Sequence, residues 1–174
     1  MALHTLDAAP TTIDHPSTDD ATSHDPAGST AGSTPVRRPG GRIARGVAAA
    51  ALGVAAVAHM PVAIEHLAHL PYLGWSFVAF VVIAATLAGS LLVESRTVVW
   101  AAALLLAAGA LALYAVSRQW GLPGTDDDIG DWANTAGLVC AAAETVVVLV
   151  AATVLVRRAR ASRQHHEATA AVRV

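Results

Sequence analysis

The sequence predicts an all-α membrane protein, a bundle of four transmembrane helices with a short amphipathic interfacial helix after the first span and a disordered N-terminal tail. Of its 174 residues, 55% are hydrophobic and only 14% are charged, against about 25% charged residues in a typical soluble domain. The apolar residues gather in four long runs, and a helix needs about 20 such residues to cross a bilayer. Because lipid offers no partners to backbone polar groups, runs of this kind favour helices.

Residues 1–41 are rich in Ser, Thr, Asp, Pro and Gly and show no apolar periodicity. A segment of this composition buries too little apolar surface to offset the entropy lost on ordering. We therefore expect a disordered cytoplasmic tail. The first apolar run begins only near Val47, which is too far along the chain for a signal peptide.

The transmembrane domain is predicted over residues 42–160, and residues 161–174 are predicted to form a cytoplasmic tail. Its four spans are predicted at about 43–60, 73–93, 98–116 and 132–156. Tryptophans lie near the ends of these runs, as is typical of side chains that anchor a helix at the membrane interface.

The arginines predict the orientation. Eight of them flank the bundle: Arg37, Arg38, Arg42 and Arg45 before the first span, and Arg157, Arg158, Arg160 and Arg163 after the fourth. Arg96 lies between the second and third spans. Positive residues mark the cytoplasmic side, so we expect a multi-pass plasma membrane protein with both termini cytoplasmic. Residues 59–72 and 117–131 are then predicted to lie outside.

The stretch "HMPVAIEHLAHLPYLG", residues 59–74, predicts the interfacial helix. Pro61 disfavours helical geometry in the preceding residue and suits the first turn of a new helix. The first span is therefore predicted to end or kink at His59–Met60. A short helix follows from Pro61 to about Leu70, and Pro71 is expected to stop it.

Glu65, His66 and His69 share one face of this short helix at spacings of three and four residues, so they can converge on one ion. Imidazole and carboxylate ligands suit zinc, copper, nickel or iron. Asp127 and Asp128 lie in the second outer connection and can add oxygen ligands. The alternative is an interfacial helix whose polar face meets water and headgroups. No cofactor is expected, and a divalent transition metal is the one candidate.

Glu144 lies about 12 residues from both Trp132 and Arg157, close to the bilayer midplane. A charged carboxylate there costs about 2.5 kcal/mol or more. We expect it to face the bundle interior, either as a neutral carboxyl that ties helices together or as part of a proton or cation relay. No basic partner is expected at that depth. The expected hydrogen-bond partners are the hydroxyl groups of Thr86, Ser90, Thr135 and Thr145.

Two stretches, "PYLG" at the start of the second span and "SRQWGLPGTDDDIGDW" before the fourth, carry a resemblance. They resemble small four-helix membrane proteins of high-GC Gram-positive bacteria, in which a GLP turn, paired aspartates and a tryptophan precede the last span. The matching positions are Pro71–Gly74, Gly121–Pro123, Asp127, Asp128, Gly130 and Trp132. The resemblance implies the same fold and no particular activity.

Several classes of function are disfavoured. The net charge of −2 and the lack of a basic stripe argue against a nucleic-acid partner. The single cysteine, Cys140, cannot form a CxxC motif. Because GxSxG, P-loop, HExxH and dinucleotide-binding motifs are missing, we expect no enzyme. The expected partners are the lipid bilayer and a second copy or another membrane protein.

We therefore predict a non-enzymatic accessory or interaction protein. The alternative is a metal-handling or transport protein that uses the outer His/Glu/Asp site together with Glu144.

Overall fold

Four long helices make up most of residues 40–172, the part of the chain that the computed structural model describes. They are α1 (Gly40–His69), α2 (Pro71–Val93), α3 (Thr97–Trp120) and α4 (Thr135–Val172), with a short 3-10 helix at Asp126–Asp128 before α4. Each long helix is apolar and long enough to cross a membrane. The predicted all-α, four-helix membrane fold is confirmed. Most of the predicted N-terminal tail lies outside the described residues.

The helices pack around one apolar core. α1 lies along α2 and also contacts α4, while α3 packs mainly against α4 and less against α2. The largest fully buried side chains are those of Leu52, Leu91, Trp100 and Val147. Many of their neighbours are alanines, which let helix backbones approach closely in lipid. Large apolar side chains such as Leu105 are exposed on the outer faces, as expected for surfaces that meet lipid.

Within residues 40–172, every arginine except Arg118 lies at one end of the bundle, which we call the arginine-rich end: the start of α1, residues 94–96, and α4 beyond Val156. Arg45 donates through Nε to Leu91 O at 2.5 Å and through Nη2 to Leu92 O. These carbonyls close α2 and have no helical donor. Arg158 donates to Ser95 Oγ at 2.6 Å. The expectation that both arginine clusters share one end agrees with these contacts.

The opposite end, which we call the loop end, consists of Leu70 and residues 121–134. Leu70 alone joins α1 to α2. The Tyr72 hydroxyl donates to Pro123 O at 2.5 Å, which fastens the longer loop to the start of α2. Gly124 has a φ of +83°, and a Cβ there would lie 2.9 Å from Leu70 Cδ2. The positive φ favours glycine at this position, whereas the Leu70 side chain could move away from a Cβ.

The predicted break at His59–Met60 does not occur. α1 is continuous over Gly40–His69 with Pro61 inside it, so the amphipathic segment forms the last turns of α1 and not a separate helix. Pro61 lacks an N–H and removes the hydrogen bond to the Val57 carbonyl. Membrane helices tolerate this loss, whereas ending the helix would release several more backbone groups. Pro71 begins α2, since proline suits the first helical position.

The other boundaries shift by about one turn or less, except the end of α4. α3 extends to Trp120, one turn beyond the predicted end of the third span. α4 begins at Thr135 because Asn134 caps it: its Oδ1 accepts a hydrogen bond from Gly137 N at 3.1 Å. α4 then continues far beyond the predicted span, to Val172.

Candidate functional site: a buried histidine and glutamate

α1 and α4 bring a histidine and a glutamate together inside the bundle. The Nε2 atom of His59 lies 3.8 Å from Oε1 of Glu144, and their side chains are 12% and 3% exposed. At 1.5 Å per residue, His59 lies about 15 Å from the loop end of α1, and Glu144 lies about 14 Å from the start of α4. An acid and a base thus meet at the same depth in the membrane-spanning part of the chain.

The core faces of the two helices position this pair. On α1, His59 follows the fully buried Ala55 by one turn. On α4, Glu144 lies between Cys140 and Val147, which are both buried. Residues three or four apart share one helix face, so the packing that buries these apolar residues also carries His59 and Glu144 inward.

A hydrogen bond of the His59 ring determines which of its two nitrogens carries the hydrogen in the neutral form. Nδ1 of His59 lies 2.8 Å from Ala55 O. Because a carbonyl oxygen only accepts, Nδ1 carries a hydrogen and donates it. In a neutral imidazole the other nitrogen, Nε2, is then a bare acceptor. It is Nε2 that faces Glu144.

Glu144 Oε1 is buried and has no hydrogen-bond partner within residues 40–172. The 3.8 Å separation from His59 Nε2 is longer than a hydrogen bond, and an approach of about 1 Å would bring it into range. A bond across this gap requires a proton on one of the two atoms. Either an imidazolium donates to a carboxylate, or a carboxyl donates to an imidazole.

Apolar groups from the other helices surround the pair. On α2, the ring centroids of Phe80 and Phe77 lie 4.4 Å and 5.5 Å from that of His59. On α3, residues 98–113 contain no titratable side chain. A net charge on the pair would therefore have little compensation, and burial of an uncompensated charge is costly.

The two ends of the bundle differ in what lies beyond the pair. Toward the arginine-rich end is the apolar core, with Leu52, Trp100 and Val147 at most 1% exposed. Toward the loop end are polar groups. His66 follows His59 by two turns on α1, and its ring lies 5.5 Å from that of Phe77, which also contacts His59.

The three α1 residues of the predicted metal site lie near the loop end, but they are not directed at a common point. Glu65 and His69 are exposed. His66 is half-buried, and its Nδ1 lies 2.9 Å from Val62 O of its own helix. Between residues 40 and 172, no group of three or more His, Cys, Asp or Glu side chains is arranged to hold a metal ion. The metal site stays a prediction.

The other two predicted ligands, Asp127 and Asp128, lie in the loop before α4. Asp128 organises the loop end. Its Oδ1 accepts a hydrogen bond from Arg118 Nη1 at 2.6 Å, and Arg118 is only 9% exposed. The Arg118 guanidinium also lies 5.3 Å from the centre of the Tyr114 ring, and Arg118 O accepts from Gly130 N at 2.8 Å. Asp127 is exposed. One carboxylate of the loop therefore binds the arginine in the last turn of α3.

Two of the four hydroxyl groups expected to bind Glu144 have other partners, and none of the four bonds to it. Thr86 donates to Val82 O and Thr145 to Ala141 O, both at 2.7 Å. The residue that faces Glu144 is His59, a partner that was not predicted from the sequence. The signal for it was the apolar pattern that continues through Pro61, because a continuous first helix places His59 ten residues inside its end.

No protein-family model, curated protein or solved structure matches this chain. Its class is therefore given by the fold and the site: a multi-pass α-helical membrane protein. Its candidate site is the histidine and glutamate that lie 3.8 Å apart inside the bundle.

Proposed function

We propose that this chain is a non-enzymatic accessory or interaction protein of the plasma membrane. Under this proposal the arginine-rich end faces the cytoplasm, because positive residues favour that side, and both termini are cytoplasmic. The partners are the lipid bilayer and another membrane protein or a second copy of the chain.

The observation that carries the proposal is the apolar core between the His59–Glu144 pair and the arginine-rich end. A carried ion or polar substrate needs polar groups along its path, since an unsolvated charge in the membrane interior is expensive. On this side of the pair, the largest fully buried side chains of the described chain are all apolar: Leu52, Leu91, Trp100 and Val147. Within one chain, no polar path therefore leads from the pair to the arginine-rich end through the described core. This favours an interaction protein over a transport protein.

The second candidate is a metal-handling or transport protein that uses the outer His/Glu/Asp residues and Glu144. The buried pair is the observation that favours it, because ionisable groups inside transmembrane segments often mark substrate or proton pathways. Since the core closes the path in one chain, transport would require an oligomer to complete it.

Flux measurements in vesicles test both candidates. The purified protein is reconstituted into liposomes that contain a proton-sensitive or zinc-sensitive dye, and a gradient of either ion is imposed. We expect the same flux as in empty liposomes, and no change on Glu144→Gln. A flux well above that of empty liposomes, lost with Glu144→Gln and kept with the exposed control Glu65→Gln, would contradict the accessory function and support transport.

Metal content provides a further check on the second candidate. We expect no stoichiometric zinc, copper, nickel or iron in protein purified in mild detergent. A bound metal that is lost in the His66→Ala/His69→Ala double variant would favour metal handling instead.

A further inference from the structure

His59 and Glu144 together offer one proton-binding position between α1 and α4. Nδ1 of His59 already donates to Ala55 O at 2.8 Å, so the two facing atoms are Nε2 and Oε1. One proton between them gives a neutral pair in two forms, imidazole with carboxyl or imidazolium with carboxylate. In either form the two atoms can share one hydrogen bond once they approach from 3.8 Å to hydrogen-bond distance.

Any other number of protons leaves a net charge inside the bundle. Without a proton, two acceptor atoms face each other and the carboxylate is uncompensated. With two protons, the pair carries a positive charge. The walls of the site are the rings of Phe77 and Phe80 and the apolar core, which stabilise neither charge.

The backbone of α1 is interrupted beside this position. Pro61 follows His59 by two residues and lies inside the helix. Because Pro61 has no N–H, the Val57 carbonyl loses its helical donor. Sharp bends in helices occur at such prolines. The pair therefore lies between α1 and α4, two residues before the point at which the last segment of α1, residues 61–69, can bend.

We propose that His59 and Glu144 form a proton-binding site whose single proton latches α1 to α4. Loss of this proton on raising the pH leaves a buried carboxylate, which draws water into the site and releases residues 61–69 of α1. The latch would make the loop end of the protein responsive to pH. This inference goes beyond the proposed function and does not depend on it.

We assign the pH response to the His59–Glu144 pair because few other ionisable groups of the described chain face it. On α4, Cys140 lies one turn from Glu144 and presents a buried thiol. On α2 the facing side chains are Phe77 and Phe80, and on α3 residues 98–113 are not titratable. On α1, the next histidine on the same face is His66, two turns away.

Infrared spectroscopy of the full chain in lipid nanodiscs tests the proton site. At neutral pH we expect a C=O band of a protonated, buried carboxyl, and we expect its loss as the pH is raised. The band should be missing from Glu144→Gln at every pH and unchanged in Glu65→Gln, whose carboxyl is exposed. Identical spectra for the wild type and Glu144→Gln throughout the titration would overturn the proposal.

Nuclear magnetic resonance of the wild-type protein labelled with ¹⁵N-histidine gives a readout that needs no folded Glu144 variant. The Nε2 signal of His59, assigned by its loss in His59→Gln, should shift at the same pH at which the carboxyl band disappears. A His59 signal that stays constant while the band is lost would overturn a shared proton.

The latch itself is tested by distances between spin labels at Ala68→Cys and Val139→Cys in a Cys140→Ala background. Both positions are exposed, one on the released segment and one on α4. We expect the distance distribution to broaden on raising the pH. With Glu144→Gln it should stay narrow as the pH is raised, because no carboxylate forms and the amide N–H can donate to Nε2 of the neutral His59 ring. A constant distribution in the protein that keeps Glu144, or equal broadening with Glu144→Gln, would refute the release of α1.

Discussion

Substitution of Gly74 by alanine should destabilise the bundle through a clash of backbones. Gly74 is in the first turn of α2, where α1 and α2 are joined by Leu70 alone. A Cβ at Gly74 would lie 2.5 Å from Leu67 N and 2.7 Å from Leu67 Cα. Ordinary contacts of a Cβ begin at 3.4 Å. The two helices would therefore have to separate by about 0.9 Å at their closest point.

The backbone of Leu67 cannot move away as a side chain would. Overpacking of this kind costs about 1–3 kcal/mol. In a chain of this length, 1 kcal/mol lowers the melting temperature by about 2–4 °C. We therefore expect the melting temperature of Gly74→Ala to lie about 2–12 °C below that of the wild type. The upper value corresponds to the full overpacking cost of about 3 kcal/mol.

Thermal unfolding in mild detergent, followed by circular dichroism, measures this effect. The matched control is Gly89→Ala, also on α2, where a Cβ would have nothing within 4 Å. A second variant, Gly74→Ala with Leu67→Ala, should not recover stability, because the closest atoms belong to the backbone. A melting temperature for Gly74→Ala that equals that of Gly89→Ala would refute the reasoning.

The topology and the loop end give two more predictions. In intact cells and a cysteine-free background, an impermeant thiol reagent should label Asp127→Cys and leave Ser162→Cys unlabelled; the reverse pattern would contradict cytoplasmic termini. Asp128→Asn removes the charge that binds Arg118, and since Asp128 is partly exposed, the loss should be about 1 kcal/mol, or about 2–4 °C in melting temperature. Asp127→Asn, at an exposed neighbour, is the control, and an equal decrease in both variants would show that the ion pair contributes nothing.

The parts of the fold that depend on long apolar runs could be predicted from the sequence. The predicted end of the second span at Val93 is the end of α2, because a polar stretch follows the apolar run there. The gathering of both arginine clusters at one end follows from the even number of spans. The contacts Arg45–Leu91 and Arg158–Ser95 agree with it.

The pairing of His59 with Glu144 could not be predicted because it depends on how a single proline acts. Pro61 permits either a helix start or a helix interior, and local sequence does not distinguish the two. A helix start puts His59 at the membrane surface, whereas a helix interior puts it inside the bundle. The choice is made by packing of the following turns, in which Leu67 contacts Gly74 of α2. Contacts of this kind join separate helices and leave no local pattern.

The length of α1 explains why its two polar regions differ. Its 30 residues extend about 45 Å, well beyond the about 30 Å of hydrocarbon. Because Arg45 holds the start of α1 at the closing carbonyls of α2, the excess must lie at the loop end or be taken up by tilt. The loop end is where Glu65 and His69 are exposed. His59 is about 10 Å further inside than His66 and has to find a partner there, whereas the outer groups can meet water. Burial in the membrane therefore requires His59 and Glu144, and not the outer groups, to satisfy each other. Substitutions of this pair are the ones best suited to distinguish a structural role from a functional one.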